Sequence, residues 1–154
     1  MNDTERYGEG QRNADDPPTG ADGSGPGNVL SVELPPEPES VTTARTACAE
    51  LLRDLHIDAD PLGNALVIVT ELVANAVVHA GTSIGLALAV FGSTLRVEVS
   101  DTNGDTVRLH FSAAKPSGGR GLVLVEALSD GRWGVIYEDA QKRVWAELDL
   151  EPAE

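Results

Sequence analysis

The sequence predicts an α+β fold, a two-layer sandwich in which a mainly antiparallel sheet carries its helices on one face. Three observations predict it. The elements read from the chain run strand, two helices, hairpin, long loop, helix, hairpin, an order that does not alternate as a doubly wound parallel sheet would. The later strand-type runs come in adjacent pairs: Ser83 to Phe91 and Thr94 to Ser100 flank Gly92-Ser93, and Gly134 to Glu138 and Arg143 to Leu150 flank a turn near Asp139-Ala140. Short turns of this kind join antiparallel neighbours. Finally, two stretches between the first strand and the first hairpin repeat apolar residues at three- and four-residue spacing, which makes two helices with faces to bury.

Each element follows from local chemistry. Residues 1–28 are rich in Gly, Pro, Asp and Asn, with Tyr7 their only aromatic side chain, so they are expected to be a disordered acidic tail. Val29 to Leu34 alternates apolar and polar residues and stops at Pro35-Pro36, a strand followed by a turn. Ser40 is placed to cap a helix through about Leu55, whose apolar face is Val41, Ala44, Cys48, Leu51, Leu52 and Leu55. Asp60-Pro61 opens a second helix that runs through Ala80 and stops at Gly81. Its apolar positions, Leu62, Leu66, Val69, Leu72, Val73, Ala76 and Val77, cover much of the circumference and predict a central helix. In the second strand of the first hairpin, Leu95, Val97 and Val99 alternate with Arg96 and Glu98, so one face is packed and the other wet. Asp101 to Gly119 is the longest internal loop, after which Gly121 opens a short helix carrying Leu122, Val123, Val125 and Leu128. Residues 29–150 are thus expected to form the domain, and 151–154 a frayed end.

Composition narrows the function. With 154 residues the chain suits one domain, and its net charge of -14 argues against direct nucleic-acid binding, which needs clustered Lys and Arg. Cys48 is the only cysteine, so there is no disulfide framework and no thiolate metal site. It and Trp133 read as core, while Trp145 alternates in a strand and fits either face. No apolar run approaches the roughly 20 residues of a membrane span and no leader peptide is legible, so the expected location is the cytoplasm, away from membranes.

The chemistry centres on ELVANAVVHA, Glu71 to Ala80, where Glu71, Asn75 and His79 recur at four-residue intervals and so share one edge of a helix. A carboxylate, an amide oxygen and an imidazole in a row suit nucleotide and metal chemistry. The same spacing also suits a solvated edge closed by His79 at the helix C-terminus. Asp101-Thr102-Asn103-Gly104-Asp105 sets a carboxylate at a strand end entering a tight turn, with Thr106 and Ser112 where a calcium loop needs Gly and Glu, so that loop is excluded. Gly118-Gly119-Arg120-Gly121 ahead of an apolar helix offers backbone N–H groups and a guanidinium to an anion, without the Lys-Ser or Lys-Thr of a P-loop.

Taken together, an E-x-x-x-N-x-x-x-H helix, a strand ending in Asp, a loop and G-x-G-L opening a helix resemble the GHKL ATPase family. The form ELVANAVVHA looks most like its anti-sigma-factor serine/threonine kinase branch of actinomycete type. The resemblance implies a Bergerat-type ATP-binding fold and the cofactors ATP and Mg²⁺. It implies that Asn75 ligates the metal, that Glu71 activates the attacking group and that His79 neighbours the phosphates. It further implies that Asp101 selects adenine through its amino group with Asn103 and Gly104 in the same box, and that Gly119, Arg120, Gly121 and Leu122 lie at the phosphates. The partners implied are a STAS-domain anti-anti-sigma protein and a sigma factor, and the family often forms homodimers. Two positions depart from the pattern: Asn103 stands where the family has glycine, and Arg143 or Val144 where its last strand often has threonine near the adenine pocket. Those departures equally suit a nucleotide-independent module that binds a partner without turnover.

Overall fold

Proline punctuation and alternating apolar residues set up the first layer. The computed structural model describes residues 28–79, 82–101, 116–138 and 141–151. Five strands, β1 (Asn28–Leu34), β2 (Ile84–Phe91), β3 (Thr94–Asp101), β4 (Trp133–Glu138) and β5 (Gln141–Asp149), form one antiparallel sheet in the order β1-β2-β3-β5-β4. Helices α1 (Glu39–Asp54), α2 (Ala59–His79) and α3 (Pro116–Ser129) make the second layer. This is the α+β sandwich expected, and α2 is its central helix: it packs on β2, β3 and β5 and is flanked by α1 and α3.

Register fixes the core. Leu95, Val97, Val99 and Asp101 of β3 pair with Leu148, Ala146, Val144 and Lys142 of β5, and all eight are buried beneath the helices. The helices answer with Ala44, Cys48 and Leu52 from α1, Leu62, Ala65, Ile68, Val69, Leu72, Val73 and Ala76 from α2, and Val125 from α3. Cys48 is fully buried, and burial pushes its thiol up to about 12, with Arg45 opposing. That makes it a core residue and poor nucleophile, in line with expectation.

Several boundaries differ from the sequence reading. Ser40 does not cap α1: Pro38 holds that position without a side-chain bond, and the buried Ser40 hydroxyl donates to the Pro35 carbonyl at 2.6 Å. The prolines supply no N–H there, so the hydroxyl satisfies a carbonyl of the turn instead. At its other end α1 closes with His56 at φ 60°, whose N–H donates to the Arg53 carbonyl while that of Ile57 donates to Leu52. This is a Schellman closure, and it places His56 at the helix end. Helix α2 begins at Ala59, with the Leu62 N–H donating to the Asp58 carbonyl at 3.0 Å, so Asp60 lies inside the first turn.

Helix α2 also corrects the expectation about apolar runs. Its 21 residues are long and apolar enough to cross a membrane by length and composition. Eight of them are buried within the fold, which is the ordinary reason a core helix is so apolar. Trp133, expected in the core, lies at its rim and donates its indole N–H to Glu126 Oε1 at 2.5 Å. Trp145 is buried on the sheet face away from the helices, beneath the Arg96 guanidinium at 4.5 Å from its ring centroid.

Candidate functional site

Chain direction brings the three sequence boxes to one end of the domain. Helix α2 ends at His79, and β2 begins at Ile84. In the antiparallel sheet, that start of β2 lies at the same end as the finish of β3 at Asp101, the start of β5 and the finish of β4. Helix α3 descends to the opposite end, where the turn after Ser129 enters β4, so its N-terminus returns to the Asp101 end. The C-terminal half of α2, the tip of β3 and the first turns of α3 therefore converge.

Glu71, Asn75 and His79 are all half-buried and run along α2 toward this end. Thr70 marks the opposite flank of α2: its hydroxyl receives Arg45 Nη1 of α1 at 2.6 Å and donates to the Leu66 carbonyl at 2.7 Å. At about 100° per residue the Glu71, Asn75 and His79 edge turns away from α1, onto the side where α3 packs. Its carboxylate and amide thus lie on the α3 side of the helix while Leu72, Val73 and Ala76 hold the helix on the sheet.

Helix α3 opens at Pro116, ahead of the expected start at Gly121. Proline is pre-organised for a first turn and needs no N–H there, so the helix begins before the glycines. Gly119, Arg120, Gly121 and Leu122 consequently stand within its first two turns, next to backbone N–H groups that have no intrahelical carbonyl. Asn103 and Gly104 lie outside the described residues, as do Gly81, His110 and Lys115.

Asp101 is 2% exposed and Lys142, its register partner on β5, is 1% exposed. Lys142 Nζ lies 3.4 Å from Asp101 Oδ2. Burial lowers the Lys142 ammonium to about 8, opposed by the carboxylate. The two residues named as standing in place of the family's last-strand threonine take different positions. Arg143 pairs with Ser100 on the face away from the helices, and Val144 pairs with Val99 one row deeper. The alternation Lys142, Val144, Ala146, Leu148 was the available signal: one face of one strand, with lysine at its end.

Along this edge of α2 an amide oxygen and a carboxylate stand one turn apart, on the side where α3 packs. Among the described residues no group of three or more His, Cys, Asp or Glu is gathered for a metal. At the tip of β3, Asp101 stands beside a buried cation.

Comparison with known proteins agrees with this fold. The model of the histidine kinase-like ATPase domain family matches residues 34–147. The chain belongs to that family. Its membership implies an ATP site, and the five-stranded antiparallel sheet with helices on one face is the fold that goes with it. No curated protein sequence matches the chain. Among solved structures, the RsbU and RsbW domains of Rv1364c from Mycobacterium tuberculosis are similar in fold, with a TM-score of 0.65 at 21% identity. The similarity covers 84% of this chain and 35% of that chain, so this protein spans about a third of the length of its structural neighbour.

Proposed function

We propose that this protein is a cytoplasmic, Mg-ATP-dependent serine/threonine kinase of the anti-sigma-factor type. Its substrate is a small STAS-domain anti-anti-sigma protein and its alternative partner a sigma factor. The observation that carries this reading is Glu71 and Asn75 one turn apart on the α3 side of α2, at the end of the domain where Asp101 and the α3 N-terminus meet. Bound ATP and Mg²⁺ would supply the transferable phosphoryl group and neutralise its charge. Asn75 would hold the metal, Glu71 would orient or deprotonate the attacking hydroxyl, and the N–H groups opening α3 would face the phosphates. The similarity in fold to a chain with an RsbW domain supports the reading.

The test is transfer of labelled γ-phosphate from ATP to a purified STAS-domain protein of the same genome. Label on a serine or threonine of that protein, abolished by Glu71→Ala and reduced by Asn75→Ala, is the expected result. Nucleotide binding without transfer to any such protein would overturn the kinase reading. A second reading, a module that sequesters its partner without turnover, is favoured by Lys142 beside Asp101. It predicts unchanged partner affinity in Glu71→Ala and no phosphorylated product with the wild-type chain.

A further inference from the structure

The face of the sheet turned away from the helices is uneven. Over β5 and β4 it is filled by Trp145, Arg143 and Ile136, which register places on that side. Over β1 and β2 it is hollow: the rows Ser31–Ala87–Glu98 and Glu33–Gly85–Ser100 carry their shortest side chains in the middle. These residues line a groove of about 390 Å³. Glycine weakens a strand interior and commonly marks a bulge or a place where a ligand or another chain approaches closely. Register runs unbroken through Gly85, so there is no bulge, and its backbone is not left-handed. What the glycine leaves is space, since a Cβ built there would meet Ser100 Oγ at 2.6 Å. The Ser100 hydroxyl leans over this floor and makes no hydrogen bond among the described residues.

Carboxylates wall the groove. Glu33 is exposed and forms no ion pair among the described residues. Glu98 Oε1 lies 3.8 Å from Arg143 Nη1, beyond hydrogen-bond range, and so has room for another donor. Strand β1 is also an edge strand, and the side away from β2 presents backbone N–H and C=O groups that no described strand takes up. We propose that β1 and this groove dock an extended segment of a partner protein, with one of its arginine side chains laid across Gly85 and Ala87 between Glu33 and Glu98. Strand addition supplies main-chain hydrogen bonds, and a pocket beside the edge supplies selectivity for a side chain. Neighbouring strands lie about 4.8 Å apart, so a long side chain on the added strand crosses β1 and reaches the floor of β2. Arginine suits that floor: its methylenes rest on Gly85 and Ala87, and its planar fork of donors meets both carboxylates and the Ser100 hydroxyl. A net charge of -14 also draws a basic segment toward the chain. The groove lies on the opposite face of the sheet from α2 and α3 and does not depend on the nucleotide reading.

The experiment is a heteronuclear NMR titration of the nitrogen-labelled full chain with a capped pentapeptide of serine and threonine that carries one central arginine. The same peptide with citrulline in place of arginine keeps the shape and removes the charge. Amide signals of β1, Gly85, Ala87 and Ser100 are expected to move together with the arginine peptide along one saturating curve. The citrulline peptide on the wild type, and the arginine peptide on Glu33→Gln or Ala87→Leu, should each bind more weakly by about fivefold or more. Unchanged amide signals from α2 and β5 establish that each variant is folded. The proposal is overturned if the groove signals stay still at millimolar peptide, if citrulline serves as well as arginine, or if the variants bind as tightly as the wild type. Shifts that follow acidic residues elsewhere on the surface also overturn it, because they mark general attraction to a negative chain. So do groove signals that move on dilution of the chain alone, since a second copy then covers the groove.

Discussion

Strands β3 and β5 carry two ion-pair systems, one on each face, and they are built in opposite ways. On the face away from the helices, Arg96 reaches Glu98 at 3.1 Å and Glu147 at 3.0 Å and lies over the Trp145 ring, while Arg143 pairs with Glu138 and lies 3.8 Å from Glu98. These side chains keep some contact with water, Arg96 at 11% and Glu98 at 23%. On the helix-facing side, Lys142 Nζ lies 3.4 Å from Asp101 Oδ2, beyond the 2.7–2.9 Å typical of a strong charged hydrogen bond. A guanidinium with a planar fork, two carboxylates and an aromatic floor recovers much of its lost hydration through several bonds. The compact Lys142 ammonium lies deeper, and burial lowers it to about 8 against the opposing carboxylate. The comparison teaches that the same two strands carry a partly hydrated ladder on one face and a desolvated pair on the other, so the two should respond differently to substitution and pH.

Breaking the inner pair should have the largest effect. Asp101→Ala removes the carboxylate 3.4 Å from the buried ammonium and is expected to lose about 3–5 kcal/mol at pH 6. The loss should shrink at pH 9, where Lys142 can enter the fold neutral. Urea unfolding at both pH values measures it, and a loss below about 1 kcal/mol at pH 6 would mean the pair is hydrated in solution.

Next is the pH dependence of the intact pair. Lys142 ionises near 10.5 in the unfolded chain and about 8 in the fold. Below about 8 both states hold the proton and the folded state bears the full desolvation cost. Between about 8 and 10.5 the unfolded chain binds more protons than the native one, so the Lys142 contribution to stability rises with pH, by about 3 kcal/mol in all, and then levels. The difference in unfolding free energy between wild type and Lys142→Met, followed from pH 7 to 11, isolates this contribution from other titrating groups. A flat difference would show that the ammonium is not desolvated.

The outer ladder should yield less. Arg96→Met is expected to lose about 1–2 kcal/mol, part of it the contact with Trp145. The smallest effect is expected from Glu147→Gln, about 0.5 kcal/mol at low salt and less at 1 M NaCl, because one partner of Arg96 remains and water screens the rest. If either outer substitution matched Asp101→Ala, the contrast between the faces would collapse.

Much of this architecture was legible before folding. The hairpins follow from alternation broken at Gly92-Ser93, and α2 from a helical period closed within its own length, so both are local signals. The Glu71, Asn75 and His79 edge was equally local, since four-residue spacing fixes a shared side of a helix whatever it packs against. Boundaries were less legible: Ser40 has the chemistry of a cap, but the Pro35 carbonyl took its hydroxyl. The α3 start was missed because its glycines read as loop, while Pro116 already satisfied the geometry of a first turn.

By itself the sequence determined the element types, their order, the apolar faces that make a two-layer sandwich, and which side chains could carry chemistry on α2. Only the tertiary structure decided that Lys142, rather than Arg143 or Val144, stands against Asp101. The physical reason is register: which residues of β3 and β5 meet is set by cooperative packing of distant segments, and a shift of one residue would turn Lys142 to the opposite face and bring Arg143 inward.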